Sequence, residues 1–143
     1  SHADLFEKVH GVPHFQIMAD LALGRAPHWV GRKGPANCAA KFFIRRFSDA
    51  RVTSVPDTET IRQIEADFPG CEIDVRVKPG TVLSDLKDQD AYSYELADVF
   101  MGAANQQELL RNFTAVRKRL KFRFAKPTKH RRHPDPEEAG SVT

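Results

Sequence analysis

The sequence predicts an α+β domain with a four-stranded, largely antiparallel sheet in the order ββαββα, helices on one face, and one helix before it. Apolar and charged residues alternate from Cys71 to Lys78, which is the period of a strand with one buried and one solvated face. Residues 58–68 and 105–120 instead repeat their apolar positions at helical spacing. The remaining strand-like segments are 39–47, 51–55 and 92–101. Strands mixed with two single-striped helices favour one sheet covered on one side.

Composition places the chain among ordinary globular proteins. Its 143 residues, 41% hydrophobic and 29% charged, suffice for one domain with a core. No apolar run approaches the roughly 18 residues of a membrane helix, and no signal peptide is visible, so we expect a cytoplasmic protein with no membrane partner. Cys38 and Cys71 are expected to be free thiols in a reducing compartment, and the absence of a Cys-x-x-Cys pair excludes a zinc ribbon.

The segment before the sheet predicts one helix, over residues 13–23. Pro13 suits the first helical turn, apolar residues follow at helical spacing, and Gly24 is suited to end the helix. Residues 3–11 open with the short apolar pair Leu5 and Phe6, and we predict no helix before Pro13. Residues 25–37 are rich in glycine and proline, and their Gly-Arg-Lys-Gly sequence lacks the spacing of a phosphate-binding P-loop, so we expect a surface loop.

The first half of the sheet predicts a hairpin. The short polar connection Ser48-Asp49-Ala50 joins two strand-like segments, and Phe42-Phe43-Ile44 is apolar on both faces, as in a central or covered strand. Pro56-Asp57 supplies a turn and a helix N-cap before residues 58–68, and Pro69-Gly70 ends that helix.

The second half of the sheet is predicted to contain two strands joined by a loop and followed by the last helix. After the strand from Cys71, residues 81–91 are polar and predict a loop, and Gly102 is expected to break the strand 92–101. Asn105 and Glu108 form a capping-box pattern before the last helix. We expect one sheet face to be polar and either solvated or covered by another domain; its charged residues are Lys41 or Arg45, Glu72, Asp74, Arg76 and Lys78.

The two ends of the chain are expected to lie outside the domain, which we place at residues 3–124. Ser1-His2 is typical of residues left by a cleaved vector tag. Residues 111–132 hold ten lysines or arginines and no acidic residue, and the composition then turns acidic. Residues 125–143 lack apolar residues to bury and predict a disordered tail.

Five segments carry a likeness to known motifs: residues 21–27 (LALGRAP), 40–44 (AKFFI), 51–55 (RVTSV), 75–82 (VRVKPGTV, after Pro69-Gly70) and 97–109 (ADVFMGAANQQEL). In their order and spacing, residues 13–124 resemble the C-terminal, closing subdomain of ATP-grasp carboxylate–amine ligases, of the L-amino-acid ligase or biotin-carboxylase-like type. Ala50 stands where the family motif has a glycine.

This resemblance implies a non-catalytic part of an ATP-dependent ligase. In that family the nucleotide-binding lysines and the Mg²⁺-binding Glu and Asn precede the LALG helix, so this chain would bind no cofactor itself, and ATP and Mg²⁺ would belong to the parent enzyme. The domain would pack on the ATP-grasp core of the same polypeptide and shape the acceptor side, where an amine captures an acyl phosphate. Arg45 and Arg46 are the candidates to stabilise phosphoryl charge there. As a separate piece the domain is expected to be monomeric.

Two other function classes remain open. One is a stand-alone ligand or interaction module of ferredoxin-like type. The other is a nucleic-acid-binding domain that uses a basic patch in residues 111–132, formed by Arg117, Lys118, Arg119 and Lys121. A net charge of only +3 and the lack of an aromatic RNA-recognition motif argue against nucleic acid. The spacing of His10, His14 and His28 does not predict a metal site.

Overall fold

The structure, a computed structural model, describes residues 2–29, 31–86 and 93–126. Its element order is α1 (His2–His10), α2 (His14–Ala22), β1 (Cys38–Arg46), β2 (Arg51–Ser54), α3 (Thr58–Asp67), β3 (Glu72–Val75), a 3₁₀ turn (Leu83–Asp85), β4 (Tyr94–Ala103), α4 (Gln106–Arg119) and β5 (Arg123–Ala125). The predicted α+β class is confirmed. Predicted features at residues 87–92 and 127–143, which include the start of the fourth strand and most of the tail, lie outside the described residues.

The main sheet has three antiparallel strands in the order β1-β4-β3. Val99, at the middle of β4, lies opposite Phe42 on one side and Ile73 on the other. β4 is the central strand because it pairs with β1 on one side and β3 on the other. Both of its faces are buried over most of its length. β1 is instead an edge of this sheet, and its apolar run is divided: Phe42 stacks on Phe113 of α4 at a centroid distance of 3.9 Å, whereas Phe43 on the opposite face is 44% exposed.

The predicted hairpin between the first two strands, and with it the four-stranded sheet, is wrong. β2 pairs with β5 in a separate two-stranded antiparallel sheet, with Val52 opposite Phe124. Val52 is fully buried in a second apolar cluster with Val77, Leu83 and Leu96. Its backbone also bonds to residues 80 and 81, so β2 is held by the turn after β3 instead of by β1. β5 lies within the basic stretch, where the sequence predicted the end of the ordered chain.

Helices cover both faces of the main sheet. α3 and α4 pack on one face, as predicted, and bury Ile64, Leu109 and Val116 against β4. α1, which the sequence did not predict, packs on the other face against β1 and β4. Gly102 marks this contact: it is part of β4 and does not break it, and a Cβ there would lie 2.7 Å from the Cβ of Ala36.

α2 confirms the helix predicted at residues 13–23 but contacts little of the domain. Pro13 is its N-cap and Gly24 follows it with φ +68°. None of its residues is buried. Its apolar face, defined here with the following turn as Phe15, Met18, Leu21 and Leu23, has every side chain more than half exposed.

Local capping explains where α4 begins. The side chain of Asn105 accepts a hydrogen bond from the backbone N–H of Glu108 (2.9 Å), as the capping pattern predicts. The Glu108 carboxylate accepts from the amide of Ala104 (3.1 Å), one residue before the usual box partner. Among the described residues, no helix has the length and apolar character to cross a membrane.

Candidate functional site

Six charged side chains meet on the sheet face opposite α3 and α4, beyond the end that α1 covers. This charged cluster consists of Lys41 and Arg45 on β1, Asp74 and Arg76 on or just after β3, and Glu95 and Asp98 on β4. Strand alternation brings them together, since Asp74 lies opposite Asp98 in the register. A register shift after Ile44 places Arg45 opposite Glu95. The cluster is neutral in formal charge, with three cations and three carboxylates.

Asp98 is the buried centre of the charged cluster, with no exposed surface. Its Oδ2 atom accepts hydrogen bonds from Arg76 Nη2 (2.7 Å) and Nε (3.0 Å), and lies 2.8 Å from Lys41 Nζ. Burial alone would raise the pKa of Asp98, but the hydrogen bonds from Lys41 and Arg76 outweigh it and hold the pKa below its ordinary value. Asp98 is therefore a carboxylate that the fold keeps ionised.

Arg76 bridges the carboxylates of two strands. Besides Asp98, its guanidinium contacts Asp74 Oδ2 at 3.2 Å and Glu95 Oε1 at 3.8 Å. The hydrogen bond to Asp98 raises the pKa of Arg76. Because the side chain is 47% exposed, Arg76 also presents a positive group at the surface of this sheet face.

The pKa of Glu95 is displaced in the opposite direction to that of Asp98. Its Oε2 atom is 3.5 Å from Arg45 Nη2. Burial raises the pKa of Glu95, and the neighbouring Asp98 raises it further, against the smaller opposing effect of Lys41 and Arg45. Two carboxyl groups three residues apart on one strand thus have pKa values displaced in opposite directions, an arrangement that suits proton exchange as well as structural support.

The structure separates the two arginines that the sequence nominated together. Arg45 joins the charged cluster, donates from Nη1 to Ser93 Oγ (3.0 Å) and lies over the Phe43 ring at 4.8 Å. Arg46 faces the other way, donates from Nε to the Ser48 carbonyl (3.0 Å) and lies over the Phe124 ring at 4.4 Å. Successive strand residues point to opposite faces, so only Arg45 is positioned with the cluster.

Asp98 and Glu95 were missed as site residues. The available clue was the position of Asp98 inside the apolar run from Leu96 to Met101, because a charge in such a run is buried only when it is paired. The sequence assigned Asp74 and Arg76 to the polar face, but it could not identify Asp98, the partner of Arg76 on β4, which is 22 residues further along the chain.

The predicted basic patch is only partly available. Arg117, Lys118 and Lys121 are exposed near the end of α4. Arg119 Nη1 lies 2.6 Å from Asp67 Oδ2, an ion pair that links α4 to α3. Within the part of the chain that the structure describes, an acidic partner therefore engages Arg119, while Arg117, Lys118 and Lys121 are exposed cations.

The remaining candidates for chemistry do not form a reactive site. His10 and His14 lie in an aromatic cluster with Phe6, at 4.4 and 5.5 Å. Within the described ranges, no group of three or more His, Cys, Asp or Glu side chains could hold a metal ion. Cys38 and Cys71 are free thiols, and burial raises the pKa of Cys71 to about 12, which makes that thiol unreactive.

A cavity of about 550 Å³ opens at the end of the main sheet, between α1, the end of α3 and the start of α4. Asn37, Phe68, Met101 and Asn112 are among its lining residues. Comparison with known proteins adds no assignment to any of these features: no protein-family model, curated protein or solved structure matches the chain.

Proposed function

We propose that this chain is the C-terminal domain of an ATP-dependent carboxylate–amine ligase of the ATP-grasp type, not catalytic alone, which packs on the ATP-grasp core of the same polypeptide. The apolar face of α2 carries the proposal. This face includes Leu21 and Leu23 of the LALG segment, which in the resembled family follows the ATP-binding core along the chain, and its side chains are more than half exposed. Contiguous apolar surface of this kind is typical of an interface.

The charged cluster supports the same proposal. Catalysis of acyl-phosphate formation needs positive groups that are fixed before the reaction, so that no reorganisation is required as charge develops. Arg45 is held by Ser93 and Glu95 and belongs to such a rigid array. Of the two arginines nominated by the sequence, Arg45 is therefore our candidate for the acceptor side of the active site. Arg46 is directed toward β5 and has no part in the proposal.

ATP and Mg²⁺ are assigned to the parent core, and this domain contributes surface and charge to the assembled site. The substrates would be a carboxylate, which ATP phosphorylates, and an amine, which captures the acyl phosphate. We place such an enzyme in the cytoplasm, where ATP is available. Separated from its core, the domain is expected to be monomeric.

The decisive experiment combines the upstream reading frame with calorimetry. An ATP-grasp core is expected to precede Ala3, and the longer protein is expected to bind ATP·Mg²⁺ while the present chain gives no heat of binding. If no such core is encoded, the assignment is wrong. The two alternatives then become primary: a stand-alone ligand or interaction module, or a nucleic-acid binder whose salt-dependent affinity falls when Arg117, Lys118 and Lys121 are replaced by alanine.

Substitutions on α2 test the proposed interface. In the present chain, Phe15→Ser with Leu21→Ser should change the free energy of unfolding by less than about 0.5 kcal/mol per site, since both side chains are exposed. In the longer protein the same pair should lower the melting temperature and weaken ATP binding. Leu110→Ser, at a half-exposed leucine on α4, is the control and should be neutral in both lengths. Equal effects of the α2 pair in both proteins would contradict the interface.

A further inference from the structure

We infer that Glu95 and Asp98 form a proton-binding site on the sheet, in which the Glu95 carboxyl group carries the proton and donates it to Asp98 Oδ1. This inference concerns the folded chain itself and does not depend on the proposed ligase function. Nothing in the composition or the family resemblance points to it. It follows from how the donors around Asp98 are distributed.

The two oxygens of Asp98 have unequal surroundings. Oδ2 accepts from both Arg76 nitrogens and faces Lys41. Oδ1 is buried and has no hydrogen-bond partner among the described residues. A buried carboxylate oxygen without a donor is energetically unfavourable, so a native structure normally supplies a donor. The site therefore has one acceptor atom in need of a proton.

Glu95 is the group placed to supply that proton. Its Oε1 atom and Asp98 Oδ2 lie 3.8 and 3.0 Å from the same Arg76 Nε atom, so both carboxyl groups contact the same nitrogen. An ionised Glu95 has no donor to offer, whereas the protonated form has one O–H. When two carboxyl groups interact this closely, one of them ionises readily and the other retains its proton.

The charges that face the pair come from all three strands of the main sheet. They are Lys41 and Arg45 from β1, Asp74 and Arg76 from β3 and the residue that follows it, and Asp98 and Glu95 themselves on β4. Lys41 and Arg76 are committed to Asp98 Oδ2 at 2.7–3.0 Å, whereas the contacts of Arg45 and Arg76 to Glu95 are longer, 3.5 and 3.8 Å. The short contacts from Lys41 and Arg76 stabilise the Asp98 carboxylate, which favours Glu95 as the carrier of the shared proton.

The displaced pKa values agree with this division, since the pKa of Asp98 is lowered and that of Glu95 is raised. Because the folded state holds the Glu95 proton more tightly than the unfolded state, the wild-type protein should lose stability as pH rises from the unfolded to the folded pKa of Glu95. Below that window the proton is present in both states, and Glu95 has no effect on the pH dependence.

Carboxyl-carbon NMR of the full chain measures the proton directly. Titration of the Glu95 and Asp98 side-chain carbons should give a midpoint for Glu95 above the ordinary value of a glutamate, and a midpoint for Asp98 below the ordinary value of an aspartate. Each of the two resonances should also shift at the midpoint of its partner, as coupled groups do. If Glu95 titrates at the ordinary value of a glutamate and the Asp98 resonance does not respond, the shared proton does not exist.

The substitution Glu95→Gln provides an independent readout, because the amide keeps an N–H donor for Asp98 Oδ1 at every pH. We expect this variant to match the wild type in acid and to exceed its stability above the Glu95 midpoint, so that the decline with pH disappears. The control Asp74→Asn neutralises another carboxylate of the same cluster, one that is half exposed, and should lower stability slightly at neutral pH. If Glu95→Gln also lowers stability at neutral pH, Glu95 acts as an ionised partner of Arg45 and Arg76, and the inference is overturned.

Discussion

Replacing Asp98 with asparagine should lower the free energy of unfolding at neutral pH by about 3 kcal/mol, because it removes a buried carboxylate that binds both Lys41 and Arg76 at short distance. The asparagine side chain has nearly the same shape, so no cavity is created and the loss reports charge. Two cations would then face a neutral oxygen, and an amide N–H₂ group would point toward one of them or toward Glu95.

The pH dependence of this loss has a definite sign. The pKa of Asp98 is lower in the folded than in the unfolded chain, so its stabilising contribution is present above the unfolded pKa and disappears as pH falls through the folded pKa. Denaturant unfolding should therefore give free energies of unfolding that differ strongly between the wild type and the variant at neutral pH. The two free energies should converge as the pH falls into the acid range.

Asp74→Asn is the matched control for this prediction. It removes the same charge from the same cluster, but Asp74 is 55% exposed and makes one ion pair, so its loss should cost less than about 1 kcal/mol. A loss for Asp98→Asn no larger than that of the control would mean that the charged cluster is held by strand pairing alone.

Repeating patterns within the sequence predicted where helices and strands lie better than they predicted which strands pair with each other. The alternation after Cys71 located β3, whose exposed and half-buried residues alternate in the structure, and the capping pattern at Asn105 located the start of α4. Both patterns depend on residues within one turn or a few strand positions. Such local rules are expressed in the sequence whatever the rest of the chain does.

The pairing of β2 with β5 depends on contacts between residues far apart in the chain, which no local sequence pattern encodes. The short connection between β1 and β2 favoured a hairpin, but Val52 is buried among Val77 and Leu83, and its strand partner is Phe124, near the end of the described chain. Long-range burial outweighed the local turn. Phe124 was also hard to recognise as a core-facing residue because lysines and arginines surround it in the sequence.

The candidate site was only partly predictable for the same reason. Alternation assigned Asp74 and Arg76 to the polar face, and the family resemblance nominated Arg45, but the centre of the cluster is Asp98, inside a strand that looks apolar. An ionised residue can occupy such a position only when cations reach it from neighbouring strands. Those neighbours are known only once the register of β1, β4 and β3 is known.

Substituting Gly102 with alanine should separate α1 and the loop before β1 from the main sheet and cost about 2 kcal/mol of stability. The added Cβ would lie 2.7 Å from the Cβ of Ala36, and neither carbon can rotate away because each is fixed to its backbone. The backbone of the loop is also tied down, since the Ala36 N–H donates to the Lys8 carbonyl at 3.0 Å. The clash should therefore displace α1 as well as the loop.

The companion substitution Ala36→Gly makes the Gly102 prediction specific. Removing the Ala36 methyl group makes room for the new one, so the double variant should recover most of the stability lost by Gly102→Ala, apart from the small cost of a more flexible loop. Amide hydrogen exchange of α1 should rise in the single variant and return toward wild type in the double. If the double variant is as unstable as the single, the glycine is needed for the conformation of β4 itself. The packing of α1 on this face would then have to be tested through its ion pair between Lys8 and Glu72.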